Sequence, residues 1–144
     1  MVLIIVASVI ILDQVSKFLA TSFLQLNTPL VLINNFFNLT LVYNRGAAFG
    51  LFQHQLLLFI AISILAIVII LFNLKNKANS LIFKLSLSLI LGGAVGNLID
   101  RIRFGYVVDF LDFRVWPVFN LADSFITIAA VLLFWELIFT KNVT

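Results

Sequence analysis

Hydrophobic residues run along this chain in four long blocks, separated by polar or mixed intervals. About 20 apolar residues make one helical crossing of a bilayer, so the blocks predict spanning helices at about 2–23, 56–74, 81–99 and 121–139. The first block holds Asp13 and Lys17, and the second holds no charge at all. The third has Lys84 near its start, while the fourth has Asp123 near its start and Glu136 near its end. Met1 leads straight into the first block with no cationic leader and no small-residue cleavage site, the pattern of an uncleaved anchor. Between the first two blocks the period changes. Phe37, Leu39, Leu41 and Tyr43 fall on alternate positions, which is strand patterning, and Asn34-Asn35 after the apolar run 30–33 suits a hairpin turn. The interval 102–119 is short, mixed and ends in Trp116-Pro117. The expected fold is an all-α membrane protein forming a single domain over residues 1–144. It has four spanning helices, a small β-rich platform between helices 1 and 2, and a short loop or helix between helices 3 and 4.

Composition supports a bilayer setting. The chain is 63% hydrophobic and 10% charged, against roughly 45–50% apolar and about 25% charged in soluble domains. A small soluble fold leaves much of its surface in water and cannot hide that apolar content. A cytosolic globular enzyme, a disordered tail and a nucleic-acid binder are therefore excluded; the net charge of +3 is scattered, with no basic stripe. With no cysteine there is no disulfide, no thiolate nucleophile, no thiolate metal site and no lipidated cysteine. Orientation is left open by charge alone. Lys75, Lys77, Lys84 and Lys141 mark one face, and Arg45, Arg101, Arg103 and Arg114 the other, an even count under the positive-inside rule. The all-Arg face also carries Asp residues, which suggests fixed pairs.

Four spans alternate in direction, and this brings the unusual polar residues to one side. Asp13 and Lys17 lie in the second half of span one, and Asn44, Arg45 and Gly46 precede span two. Asn97, Asp100 and Arg101 close span three, Asp109 and Asp112 lie in the last interval, and Asn120, Asp123 and Ser124 open span four. Ionisable groups at bilayer depth cost roughly 2.5–3.5 kcal/mol and mark functional sites by default. Asn97, Asp100 and Arg101 share one helical face by their i, i+3, i+4 spacing, as do Asp13, Ser16 and Lys17. Each feature also has a purely structural reading. Asp13 and Lys17 form an i, i+4 ion pair, Gly92 and Gly96 a close-packing G-x-x-x-G, Asn120 and Asp123 a helix-opening capping box. His54 reads as an interfacial residue. Ser16 and Lys17 are neighbours on a helix and do not face each other, which argues against a Ser–Lys hydrolase.

What remains is acid chemistry. Two close carboxylates cannot both ionise cheaply, so one keeps a proton near neutral pH and the pair titrates as a unit. The ionised member takes a proton from water while the protonated one hydrogen-bonds the carbonyl under attack. Neither metal nor cofactor is needed. Spacing alone does not select which aspartates pair. A small transporter or proton relay is the main alternative, since intramembrane Asp also marks ion paths; a magnesium-dependent lipid head-group transferase and a non-catalytic membrane subunit are further readings.

The strings DQVSK (13–17), YNRGAAFG (43–50), GGAVGNLIDR (92–101), VVDF (107–110) and FNLADS (119–124) resemble, in order, the motifs of lipoprotein signal peptidase, or signal peptidase II, a family of bacterial four-span aspartic peptidases. The resemblance covers nearly the whole chain. It implies that Asp109 and Asp123 are the catalytic dyad, that Asn44, Gly46, Asn97, Arg101 and Asn120 line the substrate pocket, and that Asp13, Lys17 and Asp100 support it. It implies no metal and no cofactor. The substrates would be diacylglyceryl-modified prolipoproteins, cleaved just before the lipidated cysteine by a monomer in the bacterial cytoplasmic (inner) membrane. Both termini would be cytoplasmic, with the β platform and active site toward the outer leaflet. Phe49 and Phe52 would border the lipid chains, and Arg45, Arg103 and Arg114 would meet phosphate head groups. One departure stands at the start: family members usually carry a longer, often basic N-terminus, whereas eleven residues separate Met1 from Asp13.

Overall fold

The computed structural model describes residues 1–46, 55–76 and 80–139; Phe49, Phe52, His54, Lys77 and Lys141 lie outside these. Among the described residues are four helices long and apolar enough to cross a membrane: α1 (Val2–Phe23), α2 (Leu56–Leu74), α3 (Leu81–Phe104) and α4 (Leu121–Phe139). Strands β1 (Leu30–Ile33) and β2 (Phe37–Asn44) follow α1, and β3 (Val107–Asp112) lies between α3 and α4. The anticipated bounds of α1, α2 and α4 hold, while α3 runs five residues past Ile99 to Phe104. Gly105 ends it in the left-handed region (φ 77°), its N–H donating to the Arg101 carbonyl, a conformation that glycine adopts without steric cost.

Helix α3 is the central element and packs against α1, α2 and α4. Its glycines make this possible. A Cβ on Gly92 would lie 2.6 Å from Val9 Cβ, and one on Gly96 would lie 2.5 Å from Asp13 Oδ2, so both face α1. A Cβ on Gly93 would lie 2.6 Å from the Ala122 carbonyl oxygen on α4. Small residues let helix backbones approach inside a bilayer, where no hydrophobic drive separates helix from lipid. Helix α2 buries only Ile70, against Leu87 and Leu91 of α3, and exposes Leu57, Ile62, Leu65, Val68, Ile69 and Phe72. Such an apolar exterior is what contact with lipid tails requires.

The sheet is antiparallel in the order β1-β2-β3. Asn34 and Asn35 make the predicted turn, with Asn35 at φ 59° and Phe36 N–H donating to Ile33 O. The third strand departs from the expected short loop or helix: 107–112 pairs Val42 with Asp109, Tyr43 with Val108 and Asn44 with Val107. Its run Val107–Phe110 is buried on both faces, so it shows no amphipathic alternation to read. Val108 and Phe110 pack with Ala20 of α1 and Leu41 of β2. Val107 and Asp109, on the other face by the period of two, turn toward a cavity between α3 and α4. The outer edge of β3 is covered by Phe119, which exchanges backbone hydrogen bonds with Leu111.

Candidate active site

A cavity of about 190 Å³ opens at the sheet end of the helices, lined by Asn44, Gly46, Asn97, Arg101, Val107, Asp109 and Asp123, with a wall formed by residues 116–119. Four separate elements supply its carboxylates and amides. Strand pairing carries Asp109 in from β3 and Asn44 from the end of β2. Helix α3 presents Asn97 and Arg101 one turn apart, and the first turn of α4 presents Asp123. Asn120 sits fully buried just behind the cavity.

Each carboxylate is held by N–H donors. Asp109, 2% exposed, accepts at Oδ2 from Asn44 Nδ2 (2.9 Å) and at Oδ1 from Asn120 Nδ2 (2.6 Å). Asp123 is only half-buried. It accepts at Oδ1 from Asn97 Nδ2 (2.8 Å) and at Oδ2 from the Asn120 N–H (3.3 Å), while its own N–H donates to Asn120 Oδ1 (3.0 Å). The capping box is therefore real, and it leaves Oδ1 of Asp123 aimed into the polar layer. Burial, and next the nearby Asp123 charge, push the Asp109 carboxyl up to about 7, against the opposing hydrogen bonds of Asn44 and Asn120. A carboxyl titrating near neutrality is what an acid–base pair needs.

A second layer lies between α1 and α3. Lys17 Nζ is 2.8 Å from Asp13 Oδ2, 3.0 Å from Asp100 Oδ2 and 3.0 Å from Asn97 Oδ1. Asp13 Oδ1 accepts the Ala122 N–H (3.1 Å), and Asp100 Oδ2 accepts the Val108 N–H (3.1 Å). These three charged residues thus tie α1 and α3 to the start of α4 and to β3. Two contributors carry no distinctive signal in the sequence. Gln14 donates to Asp13, Asp100 and the Gly96 carbonyl; it lay in plain view inside DQVSK, but a single amide on a helix carries no charge signal. The wall 116–119 has the sequence of a loop end, and nothing local says that it folds over β3.

Asp112 and Arg114 sit elsewhere. Asp112 is tied to its own loop, accepting from Thr40 Oγ1 (2.8 Å) and from the Arg114 N–H (2.9 Å). Burial pushes its carboxyl up, but these hydrogen bonds outweigh it and hold it below the ordinary value. Arg114 lies at φ 67° beyond the sheet and is outside the cavity lining. Arg101 lines the cavity with its guanidinium 5.2 Å from the Phe59 ring of α2, a cation–π distance.

Fold and site together define a polytopic membrane protein with two aspartates facing one cavity at the end of its helical bundle. A family model described as Signal peptidase (SPase) II matches residues 5–139, and the chain belongs to that family. The lipoprotein signal peptidase of Caldanaerobacter subterraneus subsp. tengcongensis is 46% identical over 144 residues, covering 99% of each chain. That of Halothermothrix orenii is 51% identical over 133 residues, 92% of each. A solved structure of a bacterial membrane enzyme, obtained by the in meso method at 2.3 Å, superposes with a TM-score of 0.91 at 32% identity, over 99% of this chain and 91% of that one.

Proposed function

We propose that this chain is a metal-independent aspartic endopeptidase that removes the signal peptide from diacylglyceryl-modified prolipoproteins, with Asp109 and Asp123 as its catalytic dyad. The observation that carries the reading is one cavity lined by both carboxylates, one of them almost wholly buried. In the active form the pair shares one proton. The ionised carboxylate takes a proton from a water molecule as the water oxygen bonds to the peptide carbonyl carbon. The protonated carboxyl hydrogen-bonds the carbonyl oxygen, and the tetrahedral intermediate collapses as the C–N bond breaks. The proton first taken from water then passes to the leaving amine. Asn44, Gly46, Asn97 and Arg101, which line the cavity, bind the extended peptide around the scissile bond; Asn120, fully buried behind it, holds the two aspartates instead of lining the pocket, and Asp13, Lys17 and Asp100 hold the frame.

The site lies where a lipid-anchored substrate would meet it, at the end of the spans next to the sheet. With an even number of spans both termini share a side; we place them in the cytoplasm of a bacterial cell and the site at the outer leaflet of its inner membrane, acting as a monomer. A transporter or proton relay would distribute acidic groups through the bilayer depth. Here Asp13, Asp100, Asp109 and Asp123 gather at one end, and α2 is uncharged. The test is incubation of purified protein with a diacylated precursor, with and without chelator. Release of signal peptide in both arms is expected, and its loss in Asp109→Asn and in Asp123→Asn. Wild-type rates in either variant would refute the dyad.

A further inference from the structure

The amides around the two carboxylates are not free to turn. An Asn side chain presents its oxygen to one neighbour and its NH2 to another, and a neighbour that is only a donor decides which. Asn44 Oδ1 accepts the Gly46 N–H (3.0 Å), so Asn44 Nδ2 faces Asp109. Asn120 Oδ1 accepts the Asp123 N–H (3.0 Å), so Asn120 Nδ2 faces Asp109 and Asn97 Oδ1 (3.1 Å). In both cases the lock is a backbone N–H. Asn97 differs: its Oδ1 is held by the ammonium of Lys17, which comes from another helix and has no acceptor of its own. Reversing the Asn97 amide would set its NH2 against Lys17 and against the Asn120 NH2 together. Lys17 is in turn pinned between Asp13 and Asp100, with only 3% of its surface exposed.

We propose that Lys17 is a positioning residue of the reaction: by holding the Asn97 carbonyl oxygen it turns the Asn97 NH2 onto Asp123 Oδ1 and so keeps Asp123 the ionised member of the pair. Asp109, the more deeply buried partner, then retains the shared proton. This inference rests on Asp109 and Asp123 being the dyad. It assigns Lys17 more than neutralising Asp13 and Asp100, because a purely neutralising lysine would leave the titration of the pair unmoved when removed together with one of its carboxylates. The charged groups facing this layer among the described residues are Asp13 and Lys17 from α1, Asp100, Arg101 and Arg103 from α3, Asp109 from β3 and Asp123 from α4.

The experiment is a set of pH–rate profiles on a diacylated precursor, with kcat and KM separated, for the wild type, Lys17→Met, Asn97→Leu and the double variant. Lys17→Met is expected to lower kcat about 10- to 100-fold, the range for losing a hydrogen bond to a charged group. Its acid limb moves to higher pH, since a carboxylate deprived of a donor binds its proton more tightly. Because Lys17 acts through Asn97, the double variant is expected to fall no further than Asn97→Leu alone. Asp13→Asn with Lys17→Met removes an ion pair as a unit at constant net charge; it guards against misfolding and is expected to shift the acid limb the same way. A wild-type acid limb in both Lys17 variants, or losses that multiply in the double variant, would overturn the proposal. Dead Asp109→Asn and Asp123→Asn alongside an unmoved Lys17 profile would sink this inference alone; active Asp variants would sink the dyad itself.

Discussion

Asp109 is kept in a place that suits its proton and not its charge. It is almost wholly buried on a strand between apolar neighbours, and its two oxygens receive one amide N–H each. Its folded-state value of about 7 lies above the ordinary 3.8. Folding therefore favours the protonated form: the stability from this group is complete below about 3.8 and is lost as pH rises through about 7. Two outcomes follow for Asp109→Asn. Processing should fall by a factor of about 10³ or more, the scale for losing an essential acid–base group. At pH 8, melting in detergent should rise by about 3 °C or more, because an uncharged amide replaces a buried charge; an unchanged or lower melting temperature would contradict the burial argument. Asp112 is the contrast, with its carboxyl lowered by Thr40 and the Arg114 N–H. Asp112→Asn should keep the rate within about threefold, the mild effect expected of a group outside the chemistry. A dead Asp112 variant with an active Asp109 variant would reverse the assignment.

Among the elements, α3 and β3 decide most. Gly92 and Gly96 on one side of α3, and Gly93 on another, let α1 and α4 approach closely enough for side chains from three helices to share the Lys17–Asn97–Asp123 layer. Gly96→Ala would push a methyl against Asp13 Oδ2 and should cost about 1–3 kcal/mol, the range for overpacking, read as a lower melting temperature. Asp13→Ala would strip Lys17 of one of its two carboxylates and the Ala122 N–H of its acceptor. Breaking a buried pair costs about 3–5 kcal/mol, so this variant should melt well below the wild type; equal melting would show that Asp100 alone suffices. The strand β3 works by alternation: Val108 and Phe110 anchor it to α1 and β2, which leaves Asp109 on the cavity side. A one-residue slip in its pairing would turn Asp109 away.

The molecule as a whole places its polar end next to a sheet and its apolar flanks toward lipid, which suits a substrate that never leaves the bilayer. A chelator should leave the rate unchanged. An unlipidated precursor should be cleaved far more slowly than the diacylated one, and equal rates would argue against a site built for lipid-anchored peptide. At this scale the division between chain and fold is clear. Hydrophobic length alone determined the four helices, because a bilayer admits only segments whose backbone groups are satisfied internally; α1, α2 and α4 keep their anticipated bounds. Alternation in 37–43 and the Asn34-Asn35 pair determined the hairpin, both being local signals. The gathering of Asp13, Asn97, Asp100, Asp109 and Asp123 at one end also followed from counting spans. Tertiary structure decided the rest. Strand β3 has no amphipathic period, since it is buried on both faces, and it exists as a strand only because β2 lies beside it. The cover formed by residues 116–119, the role of Gln14 and the direction of each amide depend on neighbours up to 86 residues away in the chain. Spacing within one helix reports which residues share a face; only packing settles what that face meets.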